Sequence, residues 1–346
     1  MRLARRKFLA AAGRAALVAP ALGLPGRPLR AAEAVRATIA VPGPGNLLFL
    51  PITLASRLGT DRQEGIQLDI RYVGGGPQAF KDMLDRNVDF SAGGLSAVAL
   101  QRLSGYGIIS IVPTTRVPAY TLLARAALKG KVRGITDLSG RVVGVKGHTR
   151  GGRSTSQMFT EFVLARAGVD PERVNYVSVG QAYDNQHAAL ASGAVDALMG
   201  DEPFATRLVR NGVAYVLGDY HDLETVRKLL GGLFLNGQVA TRPDFIARRP
   251  DVVAGVVKAL QRTLAWIDGH SADEMVHALG VADAAEREAL LDALRIRKNV
   301  YSPDGRFSDE QIASVERFFR ATETSAAART FVMNGVIEDR WAGRSP

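Results

Sequence analysis

No cysteine occurs anywhere in the 346 residues. That excludes disulfides, thiolate metal sites, a cysteine nucleophile and a lipid-bearing N-terminal cysteine. Histidine is scarce, and the five present (His148, His187, His221, His270, His277) never fall at a metal-binding spacing such as H-x-x-x-H. No G-x-S-x-G elbow exists, so the pattern of a serine hydrolase is missing too. The one Ala-rich apolar stretch, near the start, is interrupted and falls short of the roughly 20 residues that span a bilayer. What remains is a globular composition, 47% hydrophobic and 23% charged. The length suffices for one large domain or two lobes with sizeable cores.

A formal charge of +10 suggests nucleic acid at first sight. Its distribution removes that reading. Residues 1–34 hold seven basic side chains and one acid, which leaves 37 basic and 33 acidic residues for the rest. Those first residues have the layout of an export signal. Arg5-Arg6-Lys7-Phe8-Leu9 matches a twin-arginine core, an apolar stretch follows to Leu24, and Ala32-Glu33-Ala34 offers a small-x-small cleavage site. The expectation is an exported protein, free in the periplasm after removal of residues 1–34, monomeric and without nucleic-acid partners.

Beyond the leader, strand and helix patterns alternate. Ile66, Leu68, Ile70 and Tyr72 repeat with period two, the mark of a strand. Strand-like segments at 38–41, 66–72, 89–92 and 108–112 alternate with helical ones, an order that implies a mainly parallel sheet with right-handed crossovers. A second series begins near Tyr120, with strands at 141–146, 174–179 and 195–199. Its helix from Ser154 puts Phe159, Phe162, Val163 and Ala167 on one face and stops at Gly168. Leu233 to Ala240 then reads as a strand returning to the first series. After it come long helices, with an apolar stripe of Val252, Val253, Val256, Leu260, Leu264 and Ile267. Ser271 with Glu274 and Ser308 with Gln311 have the spacing of capping boxes. The fold class is α/β: two lobes, the first (35–118 and 240–346) interrupted by the second (119–239), with a helical C-terminal region. Arg116, Tyr120 and Asn236 fall on the two crossing segments and are the expected hinge residues.

Two glycine-rich loops invite a nucleotide reading. Gly147 to Ser154 fits G-x-x-x-x-G-[K]-[ST], except that Arg153 stands where a P-loop needs lysine. Gly74-x-Gly76-x-x-Ala79 mimics a dinucleotide fingerprint, but after the second strand and with Pro77 in the turn. Both loops share one property: a glycine turn places a helix N-terminus after a strand, and its unpaired N–H groups and positive end attract any anion. The first loop adds the hydroxyls of Thr149, Ser154, Thr155 and Ser156 and the positive charges of Lys146, Arg150 and Arg153. Alternatively the glycines only make turns, the hydroxyls cap the helix and the arginines are solvated. Of Asp201 and Glu202, adjacent and therefore pointing apart, one could face a ligand. Nothing calls for a metal or a cofactor.

In order and spacing these segments resemble the nitrate/sulfonate/taurine group of solute-binding proteins of ABC importers. The likeness runs from about Ala37 to Gln261. It rests on Gly75-Gly76-Pro77-Gln78, Val88-Asp89-Phe90 with Gly93-Gly94, Asp137 through Val145, Gly193-x-Val195-Asp196-Ala197, Glu202-Pro203 and Arg249-Pro250. The resemblance implies a two-lobed periplasmic binding fold of type II, a small-molecule anionic ligand held in the cleft between lobes, and delivery to an ABC permease in the inner membrane. Transferred position by position, it assigns Gly76, Pro77, Gln78, Gly94, Ser96, His148, Thr149, Ser154, Thr155 and Glu202 to the cleft, and Asn46 and Tyr183 complete the candidate ligand-binding set. Residues 148–153 exceed the family's short turn. An enzyme of the same fold that makes the thiamine pyrimidine precursor relies on a cysteine-rich stretch this chain lacks. A ligand-presenting module for a sensor would share the same cleft.

Overall fold

A computed structural model of the chain describes residues 34–146, 148–149 and 152–345; the twin-arginine leader lies outside the described residues. The chain leaves its first sheet, builds a second, and returns. β1 (Val35–Pro42), β2 (Ile66–Val73), β3 (Phe90–Gly94) and β4 (Ile109–Pro113) come first. Then follow β5 (Tyr120–Arg125), β6 (Val142–Val145), the two-residue strands β7 (His148–Thr149) and β8 (Gly152–Arg153), β9 (Asn175–Ser178), β10 (Ala197–Asp201) and β11 (Ala214–Asp219). β12 (Gly237–Thr241) goes back to the first sheet. The orders are β2-β1-β3-β12-β4 and β11-β5-β10-β6-β9, with β7 and β8 forming a separate hairpin.

Each sheet is mixed. β1 pairs in parallel with β2 and β3, and β6 with β9 and β10, as helical crossovers require. The antiparallel members are β12, between β3 and β4, and β5, between β10 and β11. These are the strands that the chain forms just after passing from one sheet to the other, so they enter against the local direction.

Most local signals act as the sequence suggests. The apolar stripe lies on helix Pro250–Gly269, where Val253, Val256, Leu260 and Leu264 are fully buried. Gly255 on that helix lets it press on β2, since a Cβ there would come within 2.5 Å of Ile66. Ser271 and Glu274 form the reciprocal capping box that opens helix Ala272–Leu279. The Ser308–Gln311 pair does not form one. Ser308 makes no capping bond, and buried Gln311 donates to the Thr115 carbonyl at 3.4 Å, a tertiary partner in place of the local one.

Helix Thr155–Arg166 carries Phe159 at the centre of an aromatic cluster. Its ring lies 5.0 Å from Tyr220, 5.6 Å from Tyr120, 6.1 Å from Phe318 and 6.3 Å from Phe234. Phe318 belongs to helix Asp309–Thr322 and Phe234 to the segment before β12, so the cluster ties second-sheet elements to the C-terminal helices and the crossing segment. The two crossing segments also bond to each other: Phe234 N–H donates to the Arg116 carbonyl (2.9 Å), and Asn236 Nδ2 to the Pro118 carbonyl (2.5 Å).

Candidate functional site

A cavity of about 40 Å³ lies where the two sheets face each other. From the first sheet it takes Pro42 ending β1 and Asn46 after it, Gly76 and Pro77 at the start of helix Gly76–Leu84, and Gly93 and Gly94 ending β3. From the second it takes Tyr120 opening β5, Lys146 just after β6, Ser154 to Ser156 at the start of helix Thr155–Arg166, and Asp201 ending β10. Most of these positions lie at carboxyl ends of strands, where open α/β sheets place ligands. Helices Gly76–Leu84 and Leu95–Leu103 begin without a side-chain cap, so their polar starts are left to other partners.

The charged pair inside is Lys146 and Asp201, whose side chains are 2% and 3% exposed and in direct contact. Among the described residues the Lys146 ammonium meets no other acceptor. An ammonium has three N–H donors, so two remain unspent. It also stands 5.2 Å from the centre of the Tyr120 ring. Burial strips hydration from Lys146 and lowers its pKa, with Asp201 pulling in the opposite direction. The Tyr120 phenol is pushed far up, by burial first and by the Asp201 charge second. Asp201 further accepts from Asn46 Nδ2 at 2.8 Å, and Asn46 Nδ2 also reaches Gln181 Oε1 at 3.4 Å. Asn46 itself is fixed as the cap of the turn Leu47–Phe49, its Oδ1 accepting from Leu48 N–H at 2.8 Å.

The hydroxyl wall is built by the next helix. Ser154 is the N-cap, accepting from Gln157 N–H at 3.2 Å, and it meets Ser156 Oγ at 3.0 Å. Ser96 Oγ, wholly buried behind the cavity, donates to Thr155 Oγ1 at 3.1 Å. Thr155 approaches the first sheet so closely that a Cβ on Gly94 would lie 2.0 Å from its hydroxyl and 2.9 Å from Asn236 Oδ1. Only glycine fits there.

Of the candidate ligand-binding residues, the structure brings Asn46, Gly76, Pro77, Gly94, Ser154 and Thr155 together around the cavity. Ser96 supports Thr155 from behind. Gln78 is turned outward to Asp82 (2.6 Å), because it lies on the solvent side of its helix. Tyr183 accepts from Asn211 Nδ2 at 2.8 Å and lies beneath the Arg207 guanidinium, 3.9 Å away, outside the cavity wall. Glu202 faces away from the cavity, since successive residues of a strand end alternate. It accepts from Thr121 Oγ1 (3.3 Å) and Thr206 N–H (3.1 Å) and pairs with Arg297. The backbones of His148 and Thr149 pair with β8, while their side chains, with Gly147, Arg150 and Gly151, lie outside the described residues. Arg153 is committed to Glu161 and Glu323, both at 2.6 Å. Arg116 bonds to the Asn299 carbonyl (2.8 Å) and Asn236 is wholly buried; both sit on the crossing segments, whereas Tyr120 reaches the cavity.

Gln181, Phe49 and Phe80 also line the cavity, and the sequence alone points to none of them and to Lys146 only as a general positive charge. The signal for Lys146 was present: a lysine immediately after the apolar run Val142–Val145 and before a glycine. Gln181, Phe49 and Phe80 had none, since their role follows from how two distant segments meet.

Two open sheets whose strand ends and helix starts converge on one internal cavity define a two-lobed protein of the type II periplasmic-binding fold. Residues 46–272 match the family described as NMT1/THI5 like, and the chain belongs to that family. Among solved structures, a protein of Bordetella bronchiseptica RB50 superposes with a TM-score of 0.80 at 23% identity, over 90% of this chain and 96% of that one. The alkanesulfonate-binding protein SsuA from Xanthomonas axonopodis pv. citri, bound to MOPS, gives 0.69 at 17% identity over 89% and 99%. The periplasmic nitrate-binding protein NrtA from Synechocystis PCC 6803 gives 0.69 at 12% identity over 89% and 87%. At these identities the structures speak for the fold. Family and fold together relate the chain to solute-binding proteins of ABC import systems. Among the described residues, no helix is long and apolar enough to cross a membrane.

Proposed function

We propose that this chain is the periplasmic binding component of an ABC importer, closing around a small organic anion such as a sulfonate, taurine, a carboxylate or a nitrate-like ion, and presenting it to the membrane permease. The observation that carries this reading is the buried Lys146 ammonium, with two unspent donors beside the hydroxyls of Ser154 and Thr155 at a helix start. A fixed cation, hydroxyls and a helix N-terminus in a space shielded from water favour an anion through charge-assisted hydrogen bonds. Asp201 keeps the empty site neutral, so an anion enters by sharing the ammonium and leaves room for an amine on the same molecule. A cavity of about 40 Å³ holds three or so water-sized groups, which suits a compact acid head.

Two crossing segments, with Arg116 and Asn236 on them, suit closure by bending about that edge. A leader of the twin-arginine type would take the folded chain to the periplasm as a monomer. The solved relatives named for nitrate and for alkanesulfonate support an oxyanion head as the common feature. Calorimetric titration of the purified chain with nitrate, taurine, alkanesulfonates and aromatic acids tests the reading. Binding by one class is the expected result, and no heat from any anion would remove the proposal.

A further inference from the structure

A second cavity, of about 270 Å³, lies beside the first and shares only Asn46 and Phe49 with it. Two helices contribute one face each. Leu50, Thr53 and Arg57 come from helix Leu50–Leu58, at positions that a helix places on one side. Asp283, Glu286 and Leu290 repeat the same spacing at the N-cap and first turns of helix Ala284–Arg297. The floor is apolar, since Val41, Leu50, Leu279 and Leu290 are all buried. The rim is charged: Arg57 and Asp283 are exposed, and Glu286 is half-buried.

The charges of this rim do not satisfy one another. Further along the same helix, Glu288 and Asp292 pair with Arg210, and Arg295 pairs with Asp273. Among the described residues neither Arg57 nor Glu286 has an ion-pair partner, although both line this one cavity. Glu286 is turned toward the loop after β1, where a Cβ on Gly45 would lie 3.1 Å from its Oε1. Asp283 Oδ1 accepts from Glu286 N–H at 2.7 Å, which fixes both acids at the helix start. A simple cation here would be opposed by Arg57, and a simple anion by the two carboxylates. A molecule with both charges satisfies both ends by charge-assisted hydrogen bonds, and its hydrocarbon covers the floor. An apolar cavity of about 150 Å³ holds benzene, so this one has room for a branched or aromatic side chain. We propose that it is a second ligand site, for a free amino acid with an apolar side chain. The ammonium meets Glu286 and Asp283, the carboxylate meets the Arg57 guanidinium, and the side chain lies over Leu50, Leu279 and Leu290. The site goes beyond the anion reading, because Lys146, Ser154 and Thr155 are not part of it.

Calorimetric titration of the purified chain with leucine and phenylalanine tests the proposal, and both should bind. Isocaproate, which lacks the ammonium, and isopentylamine, which lacks the carboxylate, should each bind about tenfold more weakly than leucine or worse. Glu286→Gln and Arg57→Met should each weaken leucine by about the same factor. Neither side chain is buried, so the fold tolerates both changes. Thr53→Phe, which fills the cavity from a half-buried position, should abolish leucine binding. Saturating ethanesulfonate should leave leucine affinity unchanged. The proposal is overturned by the absence of heat from both amino acids, or by leucine affinity that stays at the parent's value in any of the three variants. Isocaproate or isopentylamine binding as tightly as leucine would sink it equally. Displacement of leucine by ethanesulfonate would put the amino acid in the anion cavity and remove the second site. Failure of every anion to bind would count against the anion reading alone, since the leucine titrations decide this site without it.

Discussion

Lys146, at the end of β6, and Asp201, at the end of β10, form an ion pair that solvent does not reach. Two charges withdrawn from water cost several kcal/mol each before their attraction offsets it. A pair placed at the wall of a cavity, with two ammonium protons unspent, is therefore a poor device for stability and a good one for binding.

Lys146→Met should abolish anion binding and destabilise the fold by about 3–5 kcal/mol, because Asp201 is left as an uncompensated buried charge. Lys146→Met/Asp201→Leu should regain most of that stability and none of the binding. Urea unfolding and calorimetric titration of both variants separate the two effects.

Burial lowers the Lys146 pKa from its ordinary 10.5, with Asp201 opposing. Between the lowered value and 10.5 the unfolded chain holds more protons than the folded one, so stability rises with pH in that interval. Anion affinity falls over the same interval, because the neutral amine offers no charge. Opposite trends in urea midpoint and in affinity, as pH rises from the lowered value to the ordinary one, are the expected signature.

Gly94→Ala should block closure. The new methyl would meet Thr155 Oγ1 at 2.0 Å, and the two groups belong to different sheets. Overpacking of this kind costs about 1–3 kcal/mol. Here the chain escapes it by opening, so affinity should drop at least tenfold while the unfolding midpoint changes little. Small-angle scattering with and without ligand checks this: compaction in the parent, none in the variant.

Burial opposes ionisation of Asp219, but the His221 ring at 2.6 Å and the Arg297 guanidinium more than offset it and hold its carboxyl well below the usual 3.8. A lowered carboxylate contributes stability above its ordinary pKa and loses it as pH falls through the lowered value. Asp219→Asn should therefore flatten the acid limb of the stability profile. The effect should be modest, because the side chain is 44% exposed. Urea midpoints measured down the acid range provide the comparison.

Much of the local structure could be read from residue order. The period-two run from Ile66 became β2, the strand-like segments at 38–41 and 195–199 became β1 and β10, and the apolar stripe from Val252 to Ile267 became one buried helix face. Gly168 ends its helix region at φ 80°, as a left-handed stop must. Such signals survive because they depend on neighbours within a turn or a strand. The Ser308–Gln311 pair shows the limit: its spacing is correct, yet the Thr115 carbonyl competes for Gln311 from nearly 200 residues away.

The amino-acid order alone determined the alternation of strands and helices, the excursion from one sheet to another and back, and the clustering of glycine turns and hydroxyls at helix starts, because each of these is set by short-range sterics and periodicity. Only the tertiary structure decided that Asp201 rather than Glu202 meets the cavity, that Lys146 is its partner, and that Arg153 is spent on Glu161 and Glu323. The physical reason is that a charge acquires its role from what surrounds it after burial. That environment is assembled from segments far apart in the chain.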